Sequence, residues 1–375
     1  MADRLSIAIA AGGTAGHVNP ALALAEELRA RGHRVRFYGE TRRLEGKLVP
    51  EAGFDFVPVH VTGFDRERPW TLVTALAHLS REERRLIRLF KDDAAMRPDV
   101  AIGFGAYVEL PLVRAAARLG IPVALHEQNS VPGLANKRSA KRASLIGIAQ
   151  PSVATVFQGC CGPSTRVLET GNPVRASVLK SDRASSRTAL GISDDEVLLL
   201  VFGGSLGARH LNERMASLKD SLLSIPGVRV IHSTGAADYE ATREALSLTP
   251  DESARWDVRP YIDSMGEVLA AADLVVSRAG ASSIAEIAAL AAPAVLVPYP
   301  HATADHQTTN ARFLVDAGAA SMFADSDIDE EAFPAELERL LRDSSAREAM
   351  CAAARGLGQD RAAERLADAI EALRG

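Results

Sequence analysis

The sequence predicts an α/β protein with two doubly wound parallel sheets. Short β-branched runs alternate with amphipathic helical runs in both halves, which is typical of parallel sheets covered by helices. The chain has 375 residues, more than one ordinary domain contains. Glycine and proline interrupt it at 171–175, Gly-Asn-Pro-Val-Arg. We therefore predict two Rossmann-like domains, 1–173 and 174–375, with a final helix at about 359–375 that could pack back on the first domain.

The first half predicts an opening helix and six strands. The helix is predicted at Pro20–Arg31, with Asn19 as its N-cap and Gly32 just beyond its end. The strands are predicted near Leu5–Ala10, Val35–Tyr38, Asp55–Pro58, Val100–Gly103, Val123–His126 and Leu145–Ile148.

The second half predicts six more strands and a largely helical end. Residues Ile328–Leu373 are predicted to be mostly helical, with a break around Gly356 and Gly358. A ligand of an open α/β sheet binds at the carboxyl ends of the strands, so the motifs that follow strands are the candidate site. The strands are predicted near Val197–Phe202, Val228–Ser233, Val258–Pro260, Leu274–Val276, Ala294–Val297 and Ala320–Phe323.

The composition is that of a soluble globular protein. Hydrophobic residues make up 47% of the chain and charged residues 24%, which excludes a disordered or collagen-like chain. The three cysteines lack metal-ligand spacing, and their odd number favours a reduced compartment. No stretch predicts a signal segment or a membrane span, so we expect a cytoplasmic protein.

Charge is divided unevenly between the two halves. Residues 1–173 carry 23 Lys and Arg against 17 Asp and Glu, whereas residues 174–375 carry 20 against 31. A basic first half indicates an anionic partner, and the alternative is that the two surfaces simply differ.

Polar and glycine-rich motifs follow three strands of the first half. Residues 11–17, Ala-Gly-Gly-Thr-Ala-Gly-His, open the first helix, where backbone N–H groups can approach a phosphate or sugar. Their spacing differs from G-x-G-x-x-G, although Glu40 after the second strand keeps a dinucleotide site open. Residues 103–107 repeat the glycine pattern, and 126–129, His-Glu-Gln-Asn, follow the next strand. An imidazole on such a loop, His17, is a candidate functional group, and the alternative is a surface residue at a helix start.

Two further motifs follow strands of the second half. Residues 203–208, Gly-Gly-Ser-Leu-Gly-Ala, form a second candidate phosphate cradle in which Ser205 adds a hydroxyl donor. Residues 277–286 supply amides and hydroxyls that suit a diphosphate. Glu286 could accept both hydroxyls of a ribose, or could simply complement the helix dipole.

Other chemistries are less consistent with these motifs. Gly203, Ser205 and Gly207 match a nucleophile elbow only formally, because the serine would need a histidine and an acid behind it. Three residues, His301, Asp305 and His306, could be drawn as metal ligands but serve equally well as sugar or cap contacts.

The motifs resemble those of the MurG family, the N-acetylglucosaminyltransferases of glycosyltransferase family 28 that complete the lipid-linked peptidoglycan precursor. The resemblance rests on residues 12–17 with 20–25, and on 126–129, 171–175, 203–208, 281–286 and 305–307, in this order along nearly the whole chain. It implies a GT-B fold, with two Rossmann-like domains facing across a cleft. The acceptor would bind mainly to the N-terminal domain and the donor mainly to the C-terminal one.

The resemblance also implies the site residues. Ile262 would border the uracil, Glu286 would hold the ribose, and Gln307 and Asn129 would hold the sugar hydroxyls. His17 is the implied general base, with a suitable ordinary pKa, and Glu127 or His126 is the alternative. The residues implied to contact UDP-N-acetylglucosamine are Thr14, Ala15, Gly16, Asn129, Arg175, Ser205, Ile262, Ala281, Ser282, Ser283, Ile284, Ala285, Glu286 and Gln307.

The implied reaction is attack by the C4 hydroxyl of undecaprenyl-diphospho-N-acetylmuramyl-pentapeptide on the anomeric carbon of the donor, with inversion and loss of UDP. Helix N-termini, Ser205 and Arg175 could stabilise the leaving diphosphate, so no metal or other cofactor is expected. No nucleic-acid partner is expected. The alternative function is a UDP-N-acetylglucosamine 2-epimerase with the same two-domain plan.

A basic and apolar segment predicts binding to an anionic membrane surface. Trp70 to Leu76 and Leu79 form an apolar stripe at helical spacing. This pattern predicts a peripheral protein at the cytoplasmic face of the inner membrane, and the alternative is a core-facing helix with a solvated basic end. The surrounding basic residues are Arg66, Arg68, Arg81, Arg84, Arg85 and Arg88.

Two residues depart from the family pattern. Ala15 and Ala106 stand where the family usually has glycine. If either position requires a positive φ, its methyl group costs about 1 kcal/mol and alters the acceptor-side loop.

Overall fold

In the computed structural model, which describes residues 4–63, 70–204 and 208–374, each of the twelve predicted strands is present. The α/β class is confirmed, since the chain contains one seven-stranded and one six-stranded parallel sheet. Contacts divide the chain into two compact units. The first consists of Met1–Ala176 with Arg361–Gly375, and the second is Ser177–Asp360.

The first unit carries the seven-stranded sheet. Its strands are β1 (Ser6–Ala10), β2 (Arg34–Gly39), β3 (Asp55–Pro58), β4 (Val100–Gly103), β5 (Val123–Glu127), β6 (Leu145–Ile148) and β7 (Arg166–Glu169). Its helices before the division are α1 (Ala15–Ala30), α2 (Leu44–Glu51), α3 (Thr71–Asp92), α4 (Glu109–Arg118), α5 (Leu134–Ser139) and α6 (Ala154–Gln158). The division falls in the short helix α7 (Ala176–Leu179).

The second unit carries the six-stranded sheet. Its strands are β8 (Val197–Phe202), β9 (Val228–Ser233), β10 (Trp256–Arg259), β11 (Leu274–Ser277), β12 (Ala294–Leu296) and β13 (Ala320–Met322). Its helices are α8 (Arg183–Leu190), α9 (Arg209–Ser217), α10 (Lys219–Leu223), α11 (Tyr239–Leu246), α12 (Pro250–Ser253), α13 (Met265–Ala271), α14 (Ala281–Ala289), α15 (His306–Val315), α16 (Ala332–Arg342) and α17 (Ser344–Arg355). The last helix, α18 (Ala362–Glu371), belongs to the first unit.

The strand order of each sheet reverses once, next to its first strand. The orders are β3-β2-β1-β4-β5-β6-β7 and β10-β9-β8-β11-β12-β13, with every pair parallel. At the reversal in the first sheet Ala10 of β1 pairs with Gly103 of β4, and in the second sheet Phe202 pairs with Ser277. The loops that follow these strands therefore lie side by side, at the position where open α/β sheets bind ligands.

The final helix closes one face of the first sheet. Leu366, Ala367 and Ile370 of α18 are fully buried and pack in the same apolar cluster as Leu22 and Leu28 of α1. Arg31 adds ion pairs to Asp368 at 2.6 Å and Glu371 at 3.1 Å. The first unit is thus completed by residues distant in sequence.

The predicted start of the first helix is wrong. The helix α1 begins at Ala15, its N-cap is Thr14 rather than Asn19, and Pro20 lies inside it. Its first turn forms because the N–H groups of His17 and Val18 both donate to the carbonyl of Thr14. The early start matters because it brings His17 into the first turn, directly over the end of β1.

Other predicted boundaries differ little from the structure. Gly32 follows the end of α1 with φ +91°, as predicted. The helical end breaks between α17 and α18, with Gly358 at φ +57°, and also at Asp343, which caps α17. Strand β7, an edge strand, was not predicted. No helix among the described residues combines the length and apolar composition needed to cross a membrane.

Candidate active site

A buried acid holds the loop between β1 and α1. Glu45 of α2 is 1% exposed and accepts the N–H of Gly13 at 3.0 Å. Gly13 has φ +88°, which glycine adopts without strain, and a Cβ on Gly12 would collide with the Glu45 carboxylate. Glu45 could not be selected from the sequence, because an acid in the first turn of a helix usually complements the helix dipole in water.

His17 lies at the start of α1 with a neutral ring. Burial lowers its pKa to about 4, so the imidazole is unprotonated at neutral pH. Its Nδ1 hydrogen-bonds the hydroxyl of Thr14 at 3.1 Å. The opposite edge of the ring faces the loop after β4, where a Cβ on Gly105 would lie 3.2 Å from Nε2. The structure therefore brings together His17 and the 103–107 motif, which were identified from the sequence as separate features.

The loop after β4 contains two consecutive residues with left-handed backbone. Gly105 has φ +90° and Ala106 has φ +63°. Of the two departures from the family pattern, only Ala106 needs a positive φ, since Ala15 is the first residue of α1 and helical. The methyl group of Ala106 is therefore strained in this loop.

Substituting Ala106→Gly is expected to raise the free energy of unfolding by about 1 kcal/mol, because glycine adopts the left-handed backbone without a Cβ clash. Ala15→Gly is the matched control and should lower stability, since glycine is unfavourable in a helix by about 1 kcal/mol. Urea unfolding of both variants measures this difference. An equal loss of stability in both would contradict the assignment of strain to Ala106.

The polar residues after β5 are held inside the first unit. Glu127 is 2% exposed and accepts N–H groups from Asn129 at 3.1 Å and Gly133 at 2.9 Å, and from the Asn136 side chain at 2.8 Å. Burial raises its pKa. His126 is fully buried, and its Nε2 lies 2.9 Å from the carbonyl oxygen of Gly171. Glu127 thus shapes the loop that carries the half-buried Asn129, whereas His126 joins the end of β5 to Gly171.

Arg175 is paired inside the first unit. Its Nε and one terminal nitrogen donate to Glu26 of α1 at 3.1 and 2.9 Å. Contact with a diphosphate would require this guanidinium to share or exchange its partner.

Glu40, the acid of the dinucleotide alternative, accepts the N–H of Val61 at 2.7 Å.

The loop between β11 and α14 leads into a helix N-terminus in the second unit. Gly280 is the N-cap of α14, and among the described residues no side chain caps the helix there. Such a terminus presents N–H groups and a partial positive charge to an anion. The hydroxyl oxygen of Ser282 is buried without a hydrogen-bond partner among the described residues. Glu286 lies one turn further along the same helix and is half-buried.

Gln307 at the start of α15 joins two loops of this site. Its Oε1 accepts the N–H groups of Ala279 at 3.1 Å and Tyr299 at 3.0 Å, which leaves the amide Nε2 to donate to a ligand. Ile262, 4% exposed, packs in the same apolar cluster as Phe202 and Ile284. Ser205 lies outside the described residues.

A charged network supports the loop between β11 and α14. The sequence did not predict this network. Arg278, 6% exposed, donates to the carbonyls of Val297 at 3.2 Å and Pro298 at 3.1 Å, and pairs with Asp325 at 2.5 Å. His210 of α9 contacts the same Asp325 at 2.9 Å, which raises the pKa of this histidine. Arg278 stands in the 277–286 motif, but its partners are distant in sequence.

Two of the three possible metal ligands, Asp305 and His306, make hydrogen bonds within the protein. His306 Nδ1 lies 2.9 Å from the carbonyl of Thr303, and Asp305 accepts the hydroxyl of Thr308 at 2.7 Å. In the part of the chain that the structure describes, no three His, Cys, Asp or Glu side chains form a cluster that could hold a metal ion.

Two doubly wound parallel sheets with glycine-rich loops at their strand reversals are the plan of GT-B glycosyltransferases, the class that this fold matches. Residues 7–148 match the glycosyltransferase family 28 N-terminal domain, and residues 198–372 match the family 28 C-terminal domain. The chain belongs to glycosyltransferase family 28.

Named relatives match nearly the whole chain. An enzyme of Desulforudis audaxviator is 38% identical and one of Halothermothrix orenii is 36% identical, over 99% and 98% of both chains. Both are named UDP-N-acetylglucosamine–N-acetylmuramyl-(pentapeptide) pyrophosphoryl-undecaprenol N-acetylglucosamine transferase. The crystal structure of Acinetobacter baumannii MurG is similar with a TM-score of 0.72, at 30% identity, over 98% of this chain and 99% of that one.

Proposed function

We propose that this glycosyltransferase moves N-acetylglucosamine from UDP-N-acetylglucosamine to the C4 hydroxyl of undecaprenyl-diphospho-N-acetylmuramyl-pentapeptide. Full-length similarity to transferases named for this donor and acceptor supports the proposal. The observation that carries the mechanism is the position of the His17 imidazole at the strand reversal of the first sheet, against the 103–107 loop.

His17 is the general base in this proposal. When its Nδ1–H donates to the hydroxyl of Thr14, Nε2 keeps a lone pair on the ring edge that faces the 103–107 loop. An acceptor hydroxyl bound there would give its proton to Nε2 as its oxygen attacks the anomeric carbon. The carbon–oxygen bond to the diphosphate breaks in the same displacement, which inverts the configuration and releases UDP.

The second unit supplies the groups that bind the donor and stabilise the leaving diphosphate. The N-terminus of α14 and the Ser282 hydroxyl, which has no hydrogen-bond partner among the described residues, suit the developing negative charge. Glu286 accepts the ribose hydroxyls, Ile262 borders the uracil, and Gln307 Nε2 donates to the sugar. Ser205, which lies outside the described residues, is proposed to donate its hydroxyl to the diphosphate, and Arg175 would act there only by sharing or exchanging Glu26.

Glu127 is better suited to positioning than to proton transfer. Both of its oxygens already accept hydrogen bonds, from Asn129, Gly133 and Asn136. These contacts fix the loop that presents Asn129 to the sugar. The geometry thus favours His17 over Glu127 as the base.

The test is UDP release from UDP-N-acetylglucosamine, with and without a short-chain analogue of the muramyl-pentapeptide lipid. Acceptor-dependent release with formation of the β-linked disaccharide is expected. Release without acceptor, accompanied by a 2-epimer, would replace the proposal with the epimerase function. No turnover of the donor under either condition would contradict both.

The transfer is proposed to need no metal, because a helix N-terminus and protein hydroxyls can carry the charge of the leaving group. Full activity is expected to survive EDTA at millimolar concentration. The measurement is acceptor-dependent UDP release after dialysis against EDTA, with and without added Mg²⁺. A strict requirement for Mg²⁺ would contradict the proposed leaving-group stabilisation.

The first unit is proposed to bind an anionic membrane surface through the start of α3. Trp70, Val73 and Leu76 are 68%, 72% and 50% exposed. An exposed apolar surface of this kind marks a site that contacts a membrane or another molecule. Arg81, Arg84 and Arg88 are exposed further along the same helix. Arg85 donates to the carbonyl of Pro58, and Arg66 and Arg68 lie outside the described residues.

An apolar groove continues from this surface towards the 103–107 loop. Leu79, 9% exposed, packs with Leu110, Ala135 and Tyr107. Leu76 and Arg138 also line the groove. Tyr107 belongs to the loop that faces His17, so this narrow groove joins the apolar surface of α3 to the proposed acceptor side of the site, and the Arg138 guanidinium suits an acceptor diphosphate.

Combining Trp70→Ala with Arg84→Glu is expected to weaken binding to vesicles of anionic phospholipid at least about tenfold, since each basic residue near such a surface contributes about 1 kcal/mol. Activity on a water-soluble acceptor should remain. Vesicle sedimentation measures binding. Combining Val156→Ala with Arg355→Glu, which changes an exposed apolar side chain and an exposed arginine elsewhere, is the matched control. Equal vesicle binding by both double variants would show that α3 does not bind the membrane surface.

A further inference from the structure

A fully buried carboxyl group lies beneath the loop that faces His17. Glu109, the first residue of α4, has no exposed surface. Its Oε2 accepts the N–H of Gly105 at 2.6 Å, and its Oε1 accepts the hydroxyl of Ser139 at 2.9 Å. Ser139 is 1% exposed, so the carboxyl group is enclosed together with both partners.

The Gly105 backbone held in this way is the part of the loop that touches the candidate base. A Cβ on Gly105 would lie 3.1 Å from Cδ2 and 3.2 Å from Nε2 of His17. A Cβ on Gly103 would lie 2.5 Å from Glu109 Oε2, so the strand end also closes around the carboxyl group. A single hydrogen bond thus separates Glu109 from the backbone that packs on the imidazole.

The loop needs such a contact because its backbone is unfavourable. Gly105 and Ala106 are consecutive residues with positive φ, and Ala106 carries a side chain. Strained backbone of this kind persists only where surrounding contacts determine it. Without an acceptor, the buried N–H of Gly105 would also lose its hydrogen bond, which is costly.

The environment of Glu109 indicates that its role as hydrogen-bond acceptor for Gly105 matters more than its negative charge. Burial raises the pKa of Glu109 to about 7, and the nearby Glu127 carboxylate adds to the effect. The buried acid therefore binds a proton more readily than an exposed glutamate does. A protonated carboxyl can still accept the Gly105 N–H with one oxygen while its other oxygen hydrogen-bonds Ser139, as a glutamine amide could.

We propose that Glu109 is a positioning residue for glycosyl transfer: it accepts the Gly105 N–H and so holds the 103–107 loop against His17, keeping Nε2 aimed at the acceptor hydroxyl. This inference rests on the proposed function, with His17 as base. It assigns Glu109 no contact with substrate. If Glu109 only capped α4, its substitution would lower the stability of the protein without slowing glycosyl transfer.

The test compares Glu109→Ala with Glu109→Gln in the acceptor-dependent assay. The alanine variant is expected to lose kcat by about 10- to 100-fold, because the loop and base are misaligned. The KM for UDP-N-acetylglucosamine should change by less than about twofold, because the proposed donor contacts of the second unit remain intact. The glutamine variant should retain kcat to within about threefold, because its amide oxygen can accept the Gly105 N–H.

Controls separate positioning from loss of folding. Thermal unfolding of each variant identifies the temperature at which it is folded, and kinetics are measured below it. Ser139→Ala, which keeps the Gly105 contact, serves as a second variant if Glu109→Ala does not fold, and it should retain most of the kcat. Wild-type kcat in folded Glu109→Ala, or equal losses in the alanine and glutamine variants, would overturn the proposal.

The same assay distinguishes failure of the proposed function. If the wild-type protein releases no UDP in response to acceptor, the transferase proposal fails, and the role of Glu109 fails with it. If the wild-type protein is active and the folded Glu109 variants are equally active, only the positioning role fails.

Discussion

Replacing His17 with alanine is expected to lower kcat by about 10²- to 10⁴-fold, the usual contribution of a positioned general base. The imidazole is neutral because burial lowers its pKa to about 4, and its Nδ1 is engaged with Thr14. The KM for UDP-N-acetylglucosamine should change little, because the proposed donor contacts lie mostly in the second unit. Acceptor-dependent UDP release at saturating donor and acceptor measures the effect.

An exposed histidine of the same unit provides the control. His60→Ala should leave kcat unchanged, since His60 lies at the surface after β3. A His17→Ala variant that keeps more than about one tenth of the wild-type kcat would rule out His17 as the base, since general bases contribute at least about a hundredfold. Glu127 would then be the next residue to substitute.

The pH profile gives an independent check on the same assignment. A base with a lowered pKa is protonated only at lower pH, so the acid limb of kcat/KM that His17 sets should lie near pH 4 rather than 6.5. Circular dichroism over the same range separates loss of the base from acid unfolding. An acid limb at the ordinary histidine value in a fully folded enzyme would mean that the imidazole is exposed when substrate binds.

The loops that carry the candidate site residues could be predicted from the sequence, whereas the residues that these loops contact could not. His17 stood out because an imidazole on a glycine loop after a strand is unusual, and the structure places it there. That β1 lies beside β4 depends on how the crossover helices pack, which no local pattern reveals. The contact between His17 and Gly105 follows from this pairing and was therefore not predicted.

Buried acids were the main omission, for a physical reason. Glu45 and Glu109 stand in the first turns of α2 and α4, where an acid normally complements the helix dipole in water. Only the folded chain shows that each turns inward to accept an N–H from a glycine loop. The spacing from Gly105 to Glu109 is four residues, a signal that recurs too often by chance to be used alone.

Two errors in the elements have similar causes. Proline is favoured in the first turn of a helix, so the sequence predicts that a helix begins at Pro20. In the structure the glycine loop lets this helix begin at Ala15. Strand β7 is a four-residue edge strand with no buried residue, so it lacks the apolar run that identifies a parallel strand. In both cases tertiary packing outweighed the local pattern.

Substituting Glu286→Gln is expected to weaken binding of UDP by about 10- to 100-fold, because a carboxylate that accepts two ribose hydroxyls loses its charge and one of its acceptors. Glu286 lies on α14 six residues beyond Gly280, at the terminus proposed to bind the diphosphate, which is a suitable place for a ribose contact. Titration calorimetry with UDP measures the loss. Glu244→Gln, which removes the charge of an exposed acid on α11, is the matched control and should leave the affinity unchanged.

Comparison of UDP with 2′-deoxy-UDP assigns this loss to the ribose itself. The wild-type protein should bind UDP more tightly, because the deoxy ligand leaves one acceptor of the Glu286 carboxylate without its hydroxyl. In Glu286→Gln the preference for UDP over the deoxy ligand should shrink to nearly none, while both ligands still occupy the diphosphate site at α14. Undiminished discrimination in the variant would show that another residue reads the ribose. In that case the donor would lie differently along α14 than the positions of Ser282, Glu286 and Gln307 imply.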